Sequence, residues 1–148
     1  MLNEVVIMDE NYKISANFAD MDLAVIHEFI SGTYWAKGIS MSTLKRSLEN
    51  SLCFGVFTQS GEQVGFSRMI TDKATFAYLS DVFVLESHQG KGLSKLLMAA
   101  ILDHPDLQGL RRMMLATSDA HGLYQQFGFT ALAAPEVYME LHTPYLYE

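Results

Sequence analysis

Two sets of residues in this 148-residue chain have the types and spacing to do chemistry. The first is Gln89-Gly90-Lys91-Gly92-Leu93-Ser94, a glycine-rich opening to a helix. N–H groups in a helix's first turn have no acceptor inside the helix, and glycines remove the side chains that keep a phosphate away. Lys91 and Lys95, one turn apart, add positive charge on one flank. This is the chemistry of anion binding, although a plain tight turn fits the same residues. The final Gly-Lys-Ser/Thr of a P-loop and the G-x-G-x-x-G of a dinucleotide fold are both missing. The second set begins with Asp81, the one carboxylate in an otherwise apolar strand. A carboxylate in that position needs a partner or a function.

The elements that position these residues read outward from that strand. Thr75–Val84 is aromatic and β-branched, and Leu85–His88 forms a turn. Leu93, Leu96, Leu97, Ala100 and Ile101 then recur at helical spacing until Pro105. Met1–Met8 reads as a short edge strand or loose chain, and Tyr12–Phe18 as a first strand. Asp20 is placed to cap a helix with Leu23, Ile26 and Ile30 on one face. His27 on that helix is a surface or half-buried residue, since nothing nearby completes a metal set. Ser31–Gly38 breaks the periodicity and presents Tyr34 and Trp35 from a loop, either as packing over the core or as a pocket wall. Ser40 caps a second helix to about Glu49, with Met41, Leu44 and Leu48 inward and Lys45 and Arg46 toward water. Residues 52–57, Gln63–Thr71 and the central strand make an antiparallel meander. Arg68 on the second of these reads as a solvated strand arginine, or as a contact to an acceptor carboxylate or a phosphate.

Beyond Pro105, Arg112–Thr117 is a strand, and a helix from near Asp119 carries Leu123 and Phe127 before a Gly128 C-cap. Thr130–Ala134 and Val137–Leu141 read as final strand pieces. The aromatic tail His142–Glu148 either covers the sheet or meets a second subunit, so a homodimer is one expectation. With no linker, repeat or low-complexity segment, residues 1–148 read as a single three-layer α/β domain with an antiparallel front and a parallel crossover.

Composition narrows the partners. Seventeen acidic and ten basic residues give a net charge of −7, a surface that does not invite nucleic acid or an anionic membrane. It favours a cationic substrate if the binding groove shares that sign. Cys53 is the single cysteine, so an internal disulfide is impossible and a cytoplasmic setting is expected. Its apolar strand marks it as a buried thiol rather than a nucleophile. No apolar run approaches membrane-spanning length. The histidines His88, His104, His121 and His142 lie on separate elements without metal-ligand spacing, so no metal is expected.

The run Gln89–Ser94 resembles the Q/R-x-x-G-x-G/A signature of the GCN5-related N-acetyltransferases (GNAT), with Ser94 where that family usually has glycine or alanine. At the right distance, Ala120-His-Gly-Leu-Tyr-Gln-Gln-Phe-Gly-Phe129 resembles the family's A-x-x-x-Y-x-x-x-G-F stretch. The resemblance implies a three-layer α/β/α acyl-CoA N-acyltransferase-like fold with a mixed, mainly antiparallel central sheet. It implies acetyl-CoA as cosubstrate, with backbone amides of Gln89, Gly90, Lys91, Gly92, Leu93, Ser94 and Lys95 at the pyrophosphate. Phe83, Val84 and Leu85 fall where the family's bent strand pairs with the pantetheine arm. Thr117 stands where many relatives carry an asparagine that touches the coenzyme.

Tyr124 matches the family tyrosine that protonates the departing thiolate, a task suited to a phenol that stays protonated at neutral pH. For the amine proton, the alternatives are Asp81, His121 with Asp119 beside it, or water with no single protein base. Asp81 also reads as a binding group for a cationic acceptor, and Tyr34 and Trp35 as one wall of its pocket. The expected reaction is acetyl transfer to the primary amine of a small cationic acceptor by direct attack in a ternary complex. A protein lysine or N-terminal acceptor and a noncatalytic acyl-CoA-binding module are the alternatives.

Overall fold

The computed structural model describes residues 6–148, so the first part of the Met1–Met8 expectation lies outside the described residues. Six strands form one sheet in chain order: β1 (Val6–Met8), β2 (Tyr12–Ser15), β3 (Leu52–Thr58), β4 (Gln63–Thr71), β5 (Phe76–Val84) and β6 (Arg112–Leu115). Every neighbouring pair is antiparallel except β5–β6, which is parallel. Helices α1 (Leu23–Ile30) and α2 (Met41–Glu49) link β2 to β3, and α3 (Leu93–Asp103) makes the crossover to β6. The short α4 (His121–Gln125) follows β6. Ile26, Ile30, Leu44 and Leu48 bury one face of the sheet together with Phe66 and Phe83. Leu97, Ala100 and Ile101 of α3 join Ile14, Phe54 and Met69 on the other. Complete burial of a Leu or Ile side chain contributes about 1.5–3 kcal/mol, which makes these two apolar stripes the main hold on the helices. Three layers result.

Several local expectations shift. Asp22, not Asp20, caps α1, its carboxylate accepting from the Val25 N–H at 3.2 Å, while Asp20 accepts from the Ser15 hydroxyl at 2.6 Å. A 3-10 turn at Phe18–Asp20 intervenes because β2 stops at Ser15. Ser40 does cap α2, but Met41 at the helix start is exposed, since only Leu44 and Leu48 point at the sheet. His27 is half-buried and bonds the Ile39 carbonyl at 2.8 Å, tying α1 to the approach of α2. The expected strands at Thr130–Ala134 and Val137–Leu141 are not formed. Pro135–Val137 is a 3-10 turn, and alternation without a neighbouring strand to bond does not make a strand. Among the described residues no helix is long and apolar enough to cross a membrane.

The β4–β5 turn is set by one carboxylate. Asp72 accepts from the Thr75 hydroxyl at 2.6 Å and from the N–H groups of Thr75, Ala74 and Phe76. Those bonds, Thr75's first, hold its carboxyl well below the usual carboxylate range. A depressed folded value gives stability that is present above the unfolded pKa of about 4 and lost as pH falls toward the folded value. Urea unfolding of the wild type should therefore weaken below about pH 4, and Asp72→Asn should remove that part of the acid dependence.

Candidate active site

The site begins where the sheet comes apart. β5 and β6 pair only from Phe76↔Arg112 to Leu79↔Leu115, after which β5 continues through Ser80–Val84 with no strand of the described residues on that side. The separation leaves a groove of about 600 Å³. On its other edge, β5 bends against β4: Arg68 faces Ser80 and Phe66 faces Phe83, so Ser67 opposes both Asp81 and Val82. That extra residue is a bulge, and Asp81 carries it with φ 56°. A non-glycine residue in this left-handed region is held there by its surroundings.

Asp81 is the centre of that restraint. It is 8% exposed; Arg68 Nε donates to one carboxylate oxygen at 2.8 Å and the Trp35 indole N–H to the other at 2.9 Å. Arg68 also reaches the Ser51 hydroxyl at 3.3 Å. The expectation of a solvated Arg68, or of one turned to a ligand, is thus corrected: its guanidinium is committed to a buried ion pair. Trp35, on the loop between α1 and α2, is fixed to β5 through its nitrogen while about half of its surface stays exposed. Tyr34 packs edge-on against it at 5.1 Å and is itself exposed.

The helix start lies at the groove's other end. Gly90 and Gly92 both have φ 77°, and Gly92 is the N-cap of α3. A side chain at either glycine would meet nothing within 4 Å, so what requires glycine is backbone conformation, with open space in front. Gln89 reaches back from this loop, its side-chain amide donating to the Val84 carbonyl at 3.0 Å. That bond clamps the loop to the strand. Gln89 and Ser94 line the groove. Lys91 instead lines a separate cleft with Tyr12 and Thr58, and Leu93 is buried in the core, leaving only its backbone for any ligand.

On the far wall stand Thr117 and Tyr124. The Thr117 hydroxyl accepts from the N–H groups of Ala120 at 3.1 Å and Asp119 at 3.4 Å, shaping the entry to α4. Tyr124 is 8% exposed, and burial, then the charge of Asp119, raise its phenol above the ordinary value. His121 is exposed and lines a neighbouring hollow together with Thr117 and Tyr124, not the groove itself. Phe83 lines the groove with its ring stacked on that of Phe29 at 4.1 Å. Leu85 does not line it, and its N–H is taken by the Val64 carbonyl at 2.8 Å. Cys53 is buried, its thiol pushed up to about 12 by burial. Among the described residues, no three His, Cys, Asp or Glu side chains gather as a metal set.

The structure therefore joins Tyr34, Trp35, Asp81, Phe83, Val84, Gln89, Ser94, Thr117 and Tyr124 around one space. Phe29, Tyr78, Ser80 and Ser118 line it as well and were not singled out by the sequence. Alternation along β5 would have selected Tyr78 and Ser80. Phe29 and Ser118 carried no such signal.

A split sheet with a glycine-rich helix start beside it defines an acyltransferase architecture, and the comparisons agree. The sequence model of the Acetyltransferase (GNAT) family matches residues 23–129. The chain belongs to that family. A presumed acetyltransferase of Gibberella zeae is 32% identical over 136 residues, covering 77% of this chain and 76% of its own. A solved structure of a presumed GNAT acetyltransferase from Xanthomonas campestris pv. campestris is 52% identical, with a TM-score of 0.89 over 92% of this chain and 96% of that one. One from Deinococcus radiodurans, 20% identical with a TM-score of 0.71 over 93% of each chain, is similar in fold.

Truncating Arg68 would leave Asp81 charged and buried without its partner, which typically costs about 3–5 kcal/mol. Arg68→Ala should lower urea-unfolding stability by that order, with Trp35 fluorescence reporting a freed loop.

Proposed function

We propose that this protein transfers an acetyl group from acetyl-CoA to the primary amine of a small cationic acceptor, by direct attack in a ternary complex. The observation that carries the reading is the groove. It runs between the helix start at Gln89–Ser94 and the Asp81–Trp35 pair, along a β5 backbone with no strand beside it.

The residues present fit the coenzyme. Gly90 and Gly92 leave open space before a helix start, which suits a pyrophosphate. An unpaired stretch of β5 suits an extended amide-bearing arm, as strand edges do. Bound acetyl-CoA would supply the activated acyl thioester. Lys95 adds positive charge near the helix start, and the backbone N–H near Val84 is a fixed donor for a carbonyl that gains charge. Tyr124 holds its proton at neutral pH, because burial and Asp119 disfavour the phenolate, and gives it to the departing sulfur.

Acceptor class follows from charge. The groove is lined by Asp81 and Asp119 with no lysine, arginine or histidine among its lining residues. With Asp81 balanced by Arg68, Asp119 is the carboxylate that gives the lining its sign, and the exposed faces of Tyr34 and Trp35 suit an alkylammonium. Asp81 fixes Trp35, and its own charge is balanced by Arg68. With both oxygens already engaged, it is assigned binding and positioning, and the amine proton leaves through groove water.

Thiol release from acetyl-CoA across an array of small amines, with mass spectrometry on each positive well, tests this reading. Acetylated di- or polyamines are the expected product; labelling confined to protein lysines or N-termini would replace the acceptor. Tyr124→Phe should lower kcat by about 10²-fold with donor affinity unchanged, the usual scale of a positioned acid. Because the phenol lies above its ordinary value, Tyr124 should impose no loss of wild-type rate until pH exceeds about 10. Gly92→Val, at φ 77°, should weaken donor binding in calorimetry while the fold persists.

A further inference from the structure

The groove continues past Trp35 onto the sheet. Tyr78 and Ser80, two of its lining residues, lie earlier on β5 than Asp81. Their neighbours Ala77 and Leu79 are buried in the α3 core, so alternation turns Tyr78 and Ser80 to the face that carries α1 and α2. On that face the helices bury Cys53, Phe57, Phe66 and Phe83, none of which shares a register row with Tyr78.

Strand register sets Ile70 of β4 on one side of Tyr78 and Met114 of β6 on the other. Residues opposite one another in a ladder point to the same face, so these three make a row. Ile70 is 42% exposed, and Tyr78 and Met114 are half-buried. The row is therefore an apolar strip partly open to solvent. Arg68 and Ser80 face each other in the row nearer Trp35, where Arg68 balances Asp81. Tyr78 follows two residues beyond Ser80, about 7 Å along the strand. With that carboxylate balanced, charge at this end distinguishes poorly between one ammonium and another. Apolar area can distinguish them, because each methylene taken out of water adds to affinity.

We propose, on the amine-acetylating reading given above, that Tyr78 is a specificity-determining residue: its ring, flanked by Ile70 and Met114, is the floor for an unbranched alkyl stem that carries the acceptor amine. The strip is continuous with the groove through Ser80 and Tyr78, which favours a ligand held by both. Its size favours the same occupant, since three side chains fall far short of the roughly 800 Å² that each partner gives to a stable protein interface. A one-carbon amine held beside Trp35 does not span the 7 Å or so to Tyr78, whereas a stem of several methylenes passes Ser80 and lies on the ring. Stem length thus selects the acceptor.

Trp35 is the single tryptophan and lines the groove, so its fluorescence reads amine binding without turnover. Titration of n-alkylamines from methyl to hexyl into the full-length chain should give a Kd that falls about two- to fourfold per added methylene. Tyr78→Ser should flatten that series, Ile70→Ser should lessen its slope, and Tyr78→Phe, which keeps the ring, should retain it. Both positions are partly open to solvent, so the variants should keep the wild-type circular dichroism. In thiol-release assays with the same amines, KM should follow Kd while kcat stays nearly constant, as for binding shared equally by ground and transition states. Equal Kd values across the series, a series indifferent to Tyr78→Ser and Ile70→Ser, or a series lost in Tyr78→Phe would overturn the assignment. A stem-dependent Kd with no acetylated amine would uphold the strip and overturn the acetyl-transfer reading; acetylation indifferent to stem length would do the reverse.

Discussion

The buried ion pair between Arg68 and Asp81 is the constraint on which the site depends. A carboxylate taken out of water is costly unless its oxygens are satisfied, and here an arginine from β4 and the indole of Trp35 satisfy them from two directions. The same contacts hold Asp81 at a backbone angle that non-glycine residues rarely adopt. The result is a bulge on the β4 side of β5, beside the point where β5 parts from β6 on its other side.

The two ends of the groove thereby differ in character. Its helix-start end offers backbone amides and open glycines, which suit an anion whatever the attached group. Its other end offers the aromatic faces of Tyr34 and Trp35 above the Asp81–Arg68 ion pair. Tyr124 stands on the wall between them in surroundings that keep its proton in place. A chain that is acidic as a whole has kept its cations out of this groove: Arg68 is spent on Asp81, and Lys91 faces the cleft beside Tyr12.

Sequence alone determined the element order from β2 to α4, the antiparallel meander, the α3 crossover and the glycine-rich helix start, because hydrophobic period and turn residues act over short range. It also brought Asp81 and Tyr124 forward, one as a carboxylate in an apolar strand and the other through a motif. Tertiary structure decided their partners. Arg68 and Asp81 are thirteen residues apart and Trp35 is forty-six from Asp81, so no local pattern registers that they meet. The end of the chain shows the same limit from the other side. Val137–Leu141 has the alternation of a strand, but a strand exists only where another backbone accepts its hydrogen bonds, and that depends on what lies beside it in space.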